Sequence, residues 1–339
     1  MNFSIDRNAL LKPLGHIYSV VERRNTIPIL SNVLIETNSS KVSFTATDMD
    51  MDIVEVTGCV VFSQGKITLA AHTFYDIVRK LPDGAEIKIE LVDSNVKVSA
   101  GKSKFILPTL SVDDFPVMTE IEKGSEFSIE SVDLASLIDN TKFAISLEET
   151  RYYLNGIFFH VPEPNKDKLR AVATDGHRLA QAEIPLPKGA EAMPSIILPR
   201  KAVGEIRKLT DETDGKIKII ISNTKAKFIF PNSVLTTKLI DGSFPDYQRV
   251  IPKENLNKLV VLNSDFSKAI DRVSTVSMEK ARAVKLSLNK NLLSLNVNSH
   301  DLGNASEDLE IDYQYDTLEI GFNSKYLLDI ASQIQGKEI

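Results

Sequence analysis

The chain repeats itself. Phe3-Ser4-Ile5 recurs as Phe127-Ser128-Ile129, Ala46-Thr47-Asp48 as Ala173-Thr174-Asp175, and Arg79-Lys80-Leu81 as Arg207-Lys208-Leu209. Lys104-Phe105-Ile106 recurs as Lys227-Phe228-Ile229, and Phe115-Pro116 as Phe244-Pro245. One such match carries no weight, but five in one order, at offsets of 123 to 129 residues, define a period. A solenoid unit runs roughly 20–50 residues, so each copy is a whole domain. The period places three domains in the 339 residues, at 1–124, 125–252 and 253–339. The third copy is fainter: DFSKAIDRV from Asp265 aligns with DLASLIDNT from Asp133, and the segment from Ser324 aligns with that from Thr73. Copies one and two run 37 and 38 residues past their second helix, whereas five follow Ile334. The spacing therefore predicts a last domain without its closing strands.

Each copy opens on an amphipathic pattern. Leu10, Leu11, Leu14, Ile17 and Tyr18 follow helical spacing, as do Leu134, Leu137, Ile138 and Thr141, with Ser131 or Asp133 as N-cap. Pro13 inside the first helix predicts a kink. Val42, Phe44 and Ala46 alternate as a strand does, as do Ile87, Ile89 and Leu91, Val96 and Val98, and Ile217, Ile219 and Ile221. A second helix is expected over 72–81 and over 199–209, with Pro199 in its first turn. The fold class is α+β, two helices per domain packed on one face of a curved antiparallel sheet.

The net charge is −6, from 40 Lys and Arg against 46 Asp and Glu. A protein that grips DNA through many phosphates is usually basic, so the placement of the charges decides more than their sum. No apolar run reaches the roughly 18–20 residues of a membrane span. The start, MNFSIDRNALLKPL, lacks a signal peptide's apolar region. The single cysteine, Cys59, excludes an internal disulfide and fits a small buried hydrophobe. A soluble, cytoplasmic protein is expected.

TDGHR, from Thr174, is the most enzyme-like phrase. Asp175, His177 and Arg178 suggest an acid–base pair; the alternative is a polar turn closing a strand. The matching place in copy one reads TDMDM, without histidine, which favours the turn. The five histidines have no metal-ligand spacing, and no phosphate-binding glycine loop occurs, so neither a metal nor a cofactor is expected. The acidic residues Asp48 and Asp50, and Asp113 and Asp114, read as a solvated face rather than as Mg²⁺ ligands. Arg79 and Lys80, Arg200, Lys201, Arg207 and Lys208 lie on second helices, and Lys142, Lys268, Arg272, Lys280 and Arg282 on or after opening helices. They form either ordinary solvated faces or a basic inner surface on an acidic body.

Five segments carry a resemblance: TIPIL from Thr26, RYYLNG from Arg151, ATDGHRLA from Ala173, LPRKAV from Leu198 and DGSFPDYQRVIP from Asp241. Together they closely resemble the bacterial sliding clamp family, the β subunit of DNA polymerase III, over the whole chain in register. The resemblance implies three clamp domains per chain and a head-to-tail homodimeric ring that threads double-stranded DNA. The ring is a non-catalytic tether for the polymerase III catalytic subunit and other clamp-binding-motif proteins, and a separate clamp loader places it. It implies a partner-peptide pocket of Leu154, Thr174, Gly176, His177, Arg178, Leu179, Pro245, Arg249 and Val250, edged by Asn323 and Tyr326. It implies DNA-facing roles for Arg24, Tyr152 and Tyr153, with Arg79, Lys80, Arg200 and Lys201 as weaker candidates. The two tyrosines would stack on strand ends or else pack in the core. The ring seam would join Lys102, Lys104, Phe105 and Leu107 to Asp301, Glu307 and Asp308. The family ends on further strands and a Met-Pro-Met-type tail, whereas this chain ends at Glu338-Ile339. That departure predicts weaker partner binding and bears on ring closure. Two rivals remain: an enzyme built on TDGHR, which loses turnover in His177→Ala, and a non-ring interaction protein, which stays monomeric.

Overall fold

Asp6 starts the first helix by accepting hydrogen bonds from the backbone N–H of Asn8 at 2.8 Å and Ala9 at 3.1 Å. The computed structural model describes residues 1–339 except 24–25, 165 and 279–281. The first copy comprises β1 (Asn2–Asp6), α1 (Arg7–Val20), β2 (Asn32–Asn38), β3 (Lys41–Thr47), β4 (Met51–Gly58), β5 (Val60–Ser63), β6 (Gly65–Ala70), α2 (Ala71–Lys80), β7 (Glu86–Val92), β8 (Asn95–Ala100) and β9 (Ser103–Pro108). The second comprises β10 (Ser125–Glu130), α3 (Ser131–Asp139), β11 (Gly156–His160), β12 (Lys168–Thr174), β13 (Leu179–Pro185), β14 (Ile196–Pro199), α4 (Arg200–Asp211), β15 (Lys216–Ile221), β16 (Lys225–Ile229) and β17 (Ser233–Lys238). The third comprises α5 (Asn263–Ser274), β18 (Ala283–Asn289), β19 (Leu292–Ser299), β20 (Gly303–Glu310), β21 (Leu318–Asn323) and α6 (Ser324–Ala331).

The same order recurs in sheet form. Strands run β4-β3-β2-β6 in copy one, β13-β12-β11-β14 in copy two and β20-β19-β18-β21 in copy three. A second layer runs β5-β1-β7-β8-β9 in copy one and β10-β15-β16-β17 in copy two. The two copies are joined by backbone: β17 pairs antiparallel with β4, setting Leu235 opposite Ile53, and one eight-stranded sheet results. One apolar core accordingly runs through both copies, from Phe3, Phe44 and Phe74 to Phe127, Ile206 and Phe228. Residues Met1–Phe244 form one compact unit and Pro245–Ile339 another. The second unit has its own core, including Phe266, Ile270, Val284, Leu293 and Leu295.

The alternation expected for the strands holds: Val42, Phe44, Ala46, Ile87, Ile89, Val96 and Val98 are fully buried. Each of the valine, isoleucine and phenylalanine side chains contributes about 1.5–3 kcal/mol by leaving water. Pro13 lies inside α1 with its ring buried, and the helix continues over 14 residues around it. Three sequence expectations are corrected. The N-cap of α3 is Glu130, not Ser131 or Asp133, because Ser131 already has helical geometry and its N–H is taken by the Gly215 carbonyl at 2.8 Å. Pro199 is the N-cap of α4 rather than part of its first turn. The Lys104-Phe105-Ile106 and Lys227-Phe228-Ile229 match joins non-equivalent strands, β9 and β16. The true counterpart of Phe105 is Leu235 on β17, since each pairs with the middle strand of its hairpin series.

Candidate functional site

The phrase TDGHR folds as a turn that uses its own polar atoms. Asp175 Oδ1 accepts from the N–H groups of His177 and Arg178, both at 3.0 Å, and Asp175 Oδ2 lies 3.1 Å from Arg178 Nε. The Thr174 hydroxyl donates to the Arg178 carbonyl at 2.7 Å and accepts from the Gly176 N–H at 3.1 Å. Copy one builds the same turn without histidine. There Asp48 Oδ1 accepts from Asp50 and Met51 N–H at 2.9 and 2.7 Å, and Thr47 Oγ1 accepts from Met49 N–H at 3.0 Å. Asp175 is therefore a turn residue, satisfied by backbone and guanidinium.

Around this turn the first unit gathers several of the residues expected in a peptide pocket. Gly176 has φ +86°, a conformation that favours glycine, and a Cβ there would lie 2.5 Å from Arg151 Nη1, so the Arg151 guanidinium would have to shift. Arg151 is held by Glu148 through contacts of 2.7 and 2.5 Å, and these hydrogen bonds keep the Glu148 carboxyl below its ordinary range. Leu154, buried, closes the same segment, its carbonyl accepting from Ser146 N–H at 3.1 Å. The Arg178 guanidinium lies over the Phe143 ring and donates to the Phe143 carbonyl at 2.5 Å. Leu179 begins β13, half-buried, and His177 is exposed. Phe244 stacks on Phe158 with ring centroids 4.8 Å apart, extending the apolar surface of β11.

The other five candidates belong to the second unit. Pro245 precedes the short 3-10 turn Tyr247–Arg249; Arg249 is 84% exposed and pairs with Asp246 at 2.7 Å, and Val250 is 68% exposed. Asn323 caps α6, its Oδ1 accepting from Lys325 N–H at 3.0 Å, and Tyr326 follows in the first turn, half-buried.

The DNA-facing candidates divide. Arg24 lies outside the described residues, as does Lys280. Tyr152 is 54% exposed and meets the half-buried Tyr153 edge to face at 5.7 Å. Lys80 and Arg200 are exposed and make no ion pair among the described residues. Arg79 pairs with Asp76 at 3.0 Å and lies over the Tyr75 ring. Lys201 is engaged inside the protein: its ammonium pairs with Asp48, and with Glu22 at 3.4 Å. Lys238 meets Asp50 at 3.0 Å on the surface. The solvated face expected of these acids holds for Asp50, whose side chain is 81% exposed, and is corrected for Asp48, which is nearly buried against Lys201 of copy two.

The expected seam residues lie on two sheet edges. Lys104, Phe105 and Leu107 lie on the edge strand β9, with Lys102 in the turn before it. Glu307 and Asp308 lie on the edge strand β20, with Asp301 in the turn before it. Glu307 also pairs with Arg272 of its own chain, which holds its carboxyl below the ordinary range.

Models of the DNA polymerase III beta subunit match the chain as N-terminal domain over 1–119, central domain over 128–246 and C-terminal domain over 248–339. The beta sliding clamp of Caulobacter vibrioides is 49% identical over 341 residues, covering 100% of this chain and 92% of its own length. That of Escherichia coli K12 is 36% identical over 343 residues, with the same coverage of 100% and 92%. The Bartonella birtlesii DnaN sliding clamp, solved bound to griselimycin, superposes with a TM-score of 0.97 at 49% identity, covering 100% of this chain and 91% of its own. The Caulobacter crescentus clamp, solved with PEG bound, gives 0.95 at 48% identity with the same coverage of 100% and 91%. The repeated helix-and-sheet copies define a three-domain sliding-clamp fold. The chain belongs to the DNA polymerase III beta subunit family, whose members are the beta sliding clamps.

Proposed function

We propose that two copies of this chain close head to tail around duplex DNA and act as the sliding clamp of replication. In this reading domains 1–124, 125–252 and 253–339 are the clamp domains. The ring tethers the polymerase III catalytic subunit and other proteins bearing clamp-binding peptides, and an ATP-driven loader opens it. The chain is the tether and performs no chemistry itself.

The observation that carries the reading is the β17–β4 pairing between copies one and two. It leaves equivalent strands, β9 and β20, as edges. Phe105 is the counterpart of Leu235, and Ala305 of Ile53, judged from their places in the ladders. Repeating the β17–β4 register between two chains sets Phe105 opposite Ala305. Val56 N–H donates to Asn232 at 2.9 Å in the internal junction; the same register puts their counterparts, Asp308 and Lys102, side by side. The lysines of one edge then meet the acids of the other. A closed ring needs few phosphate contacts, and weak contacts from Arg200, Lys80 and Arg79 permit sliding. Tyr152 and Tyr153 serve strand ends by stacking or hydrogen bonding.

The proposed peptide-binding residues are Leu154, Thr174, Gly176, His177, Arg178, Leu179, Pro245, Arg249, Val250, Asn323 and Tyr326, a mixture of apolar and polar side chains of the kind peptide sites use. The bound state of the Bartonella relative supports such a site in the family.

The test is retention on DNA. The protein is loaded onto nicked circular plasmid by a compatible loader, washed in high salt, and the plasmid then linearised. Retention on the circle and loss from the line is expected. Failure to remain on the circle, with a loader active on another clamp, would overturn the ring.

A further inference from the structure

A histidine bridges the first two copies. His16, on α1 and 8% exposed, faces Glu55 of β4 through Nδ1 at 2.8 Å and Glu212 at the end of α4 through Nε2 at 3.2 Å. Glu55 belongs to copy one and Glu212 to copy two, so the ring spans the junction. Lys12, one helical turn earlier, meets Glu212 at 2.8 Å. One turn later the Ser19 hydroxyl donates to Glu205 of α4 at 2.5 Å, and Lys208 lies 2.9 Å from the same carboxyl. On the α2 side the nearby His72 is turned away, its Nε2 at 3.0 Å from the Val21 carbonyl. A cavity of about 200 Å³, lined by Lys12, His16, Glu55 and Glu212 among others, gives the ring a route for proton exchange with water.

A neutral imidazole carries one N–H, whereas the imidazolium carries two. Only the charged ring can donate to both carboxylates at once. We propose that His16 is a proton-operated bolt: protonated, it ties α1 of the first copy to the end of α4 in the second; neutral, it releases one of the two and the junction loosens. Position 16 corresponds to Asn140 in copy two and Arg272 in copy three, by the helix alignment. A group that titrates near neutrality therefore stands there only at the first junction.

Burial disfavours the charged ring, but the hydrogen bonds and charges of Glu55 and Glu212 outweigh it, and the His16 pKa is raised above its ordinary value. With the folded pKa raised, the stabilisation is fully present below the unfolded histidine value, about 6.5, and is lost as pH rises through the folded value.

The test uses the full chain. His16 is titrated by NMR, and thermal unfolding of wild type, His16→Asn and Glu212→Gln is followed from about pH 5.5 to 9, the span in which histidine changes charge. The advantage of wild type over His16→Asn should be largest at the acid end and shrink as His16 titrates. Amide exchange in residues 209–213 and β17 should quicken over the same range. Glu212→Gln, which removes the leg to copy two, should flatten both pH dependences. A His16 that titrates at or below an ordinary histidine, or a wild-type advantage equal at every pH, overturns the bolt. If His16→Asn does not fold, the wild-type titration and Glu212→Gln decide the matter.

Discussion

Leu235 of the second copy stands opposite Ile53 of the first, and both are fully buried. This pair sits where two copies share one sheet, so its packing holds them together. Leu235→Ala should cost about 2–5 kcal/mol, the usual toll of a buried large-to-small change. Urea denaturation of the first unit measures it. Val234→Ala, on the half-buried face of the same strand, should cost clearly less; equal losses would remove the special role of the buried pair.

Gly176 and Gly84 separate strain from space. Both have positive φ, +86° and +70°, but only Gly176 has a neighbour, Arg151, within reach of a new Cβ. Gly84→Ala should cost about 1 kcal/mol, from backbone conformation alone. Gly176→Ala should cost more, displace Arg151 and weaken the binding of a clamp-motif peptide. Thermal melts and fluorescence polarisation with a labelled peptide read the two effects.

Lys201 and Arg200 are neighbours in different surroundings. Lys201 is engaged by Asp48 and Glu22, while Arg200 is exposed. Arg200→Ala should lower the salt-dependence slope of DNA binding by about 1, as loss of one phosphate contact does. Lys201→Ala should leave that slope nearly unchanged and lower the melting temperature of the first unit instead. Binding isotherms across a salt series distinguish them.

Lys102 and Asp308 test the seam. In the proposed ring, Lys102→Glu should weaken dimerisation at both seams, by about 0.2–1 kcal/mol at each cross-strand pair. Adding Asp308→Lys should restore it. Sedimentation velocity over a dilution series reads the change, and a double variant no better than the single would refute the register.

The repeat and its alternating strands were legible because burial on one sheet face imposes a period of two. The turn at Asp175 was legible too, since copy one keeps its threonine and aspartate but not its histidine. The false match of Lys104-Phe105-Ile106 arose because β-strands reuse the same few residue types, so three letters do not tell β9 from β16. The partners of Lys201, Asp48 and His16 were not legible, because they lie across the junction at separations that no local pattern records. The pocket residues came from resemblance; spacing alone pointed only to the turn.

The shared sheet also separates two notions of a module. By sequence the unit of inheritance is one copy of the repeat, but by physics the smallest self-sufficient piece at the start of this chain is a pair. A fragment ending after β9 would bare the β4 edge and half of a continuous core, inviting association with other strands. Swapping or duplicating single copies among relatives would thus meet a compatibility barrier at the first junction. Exchange should succeed most readily when copies one and two travel together.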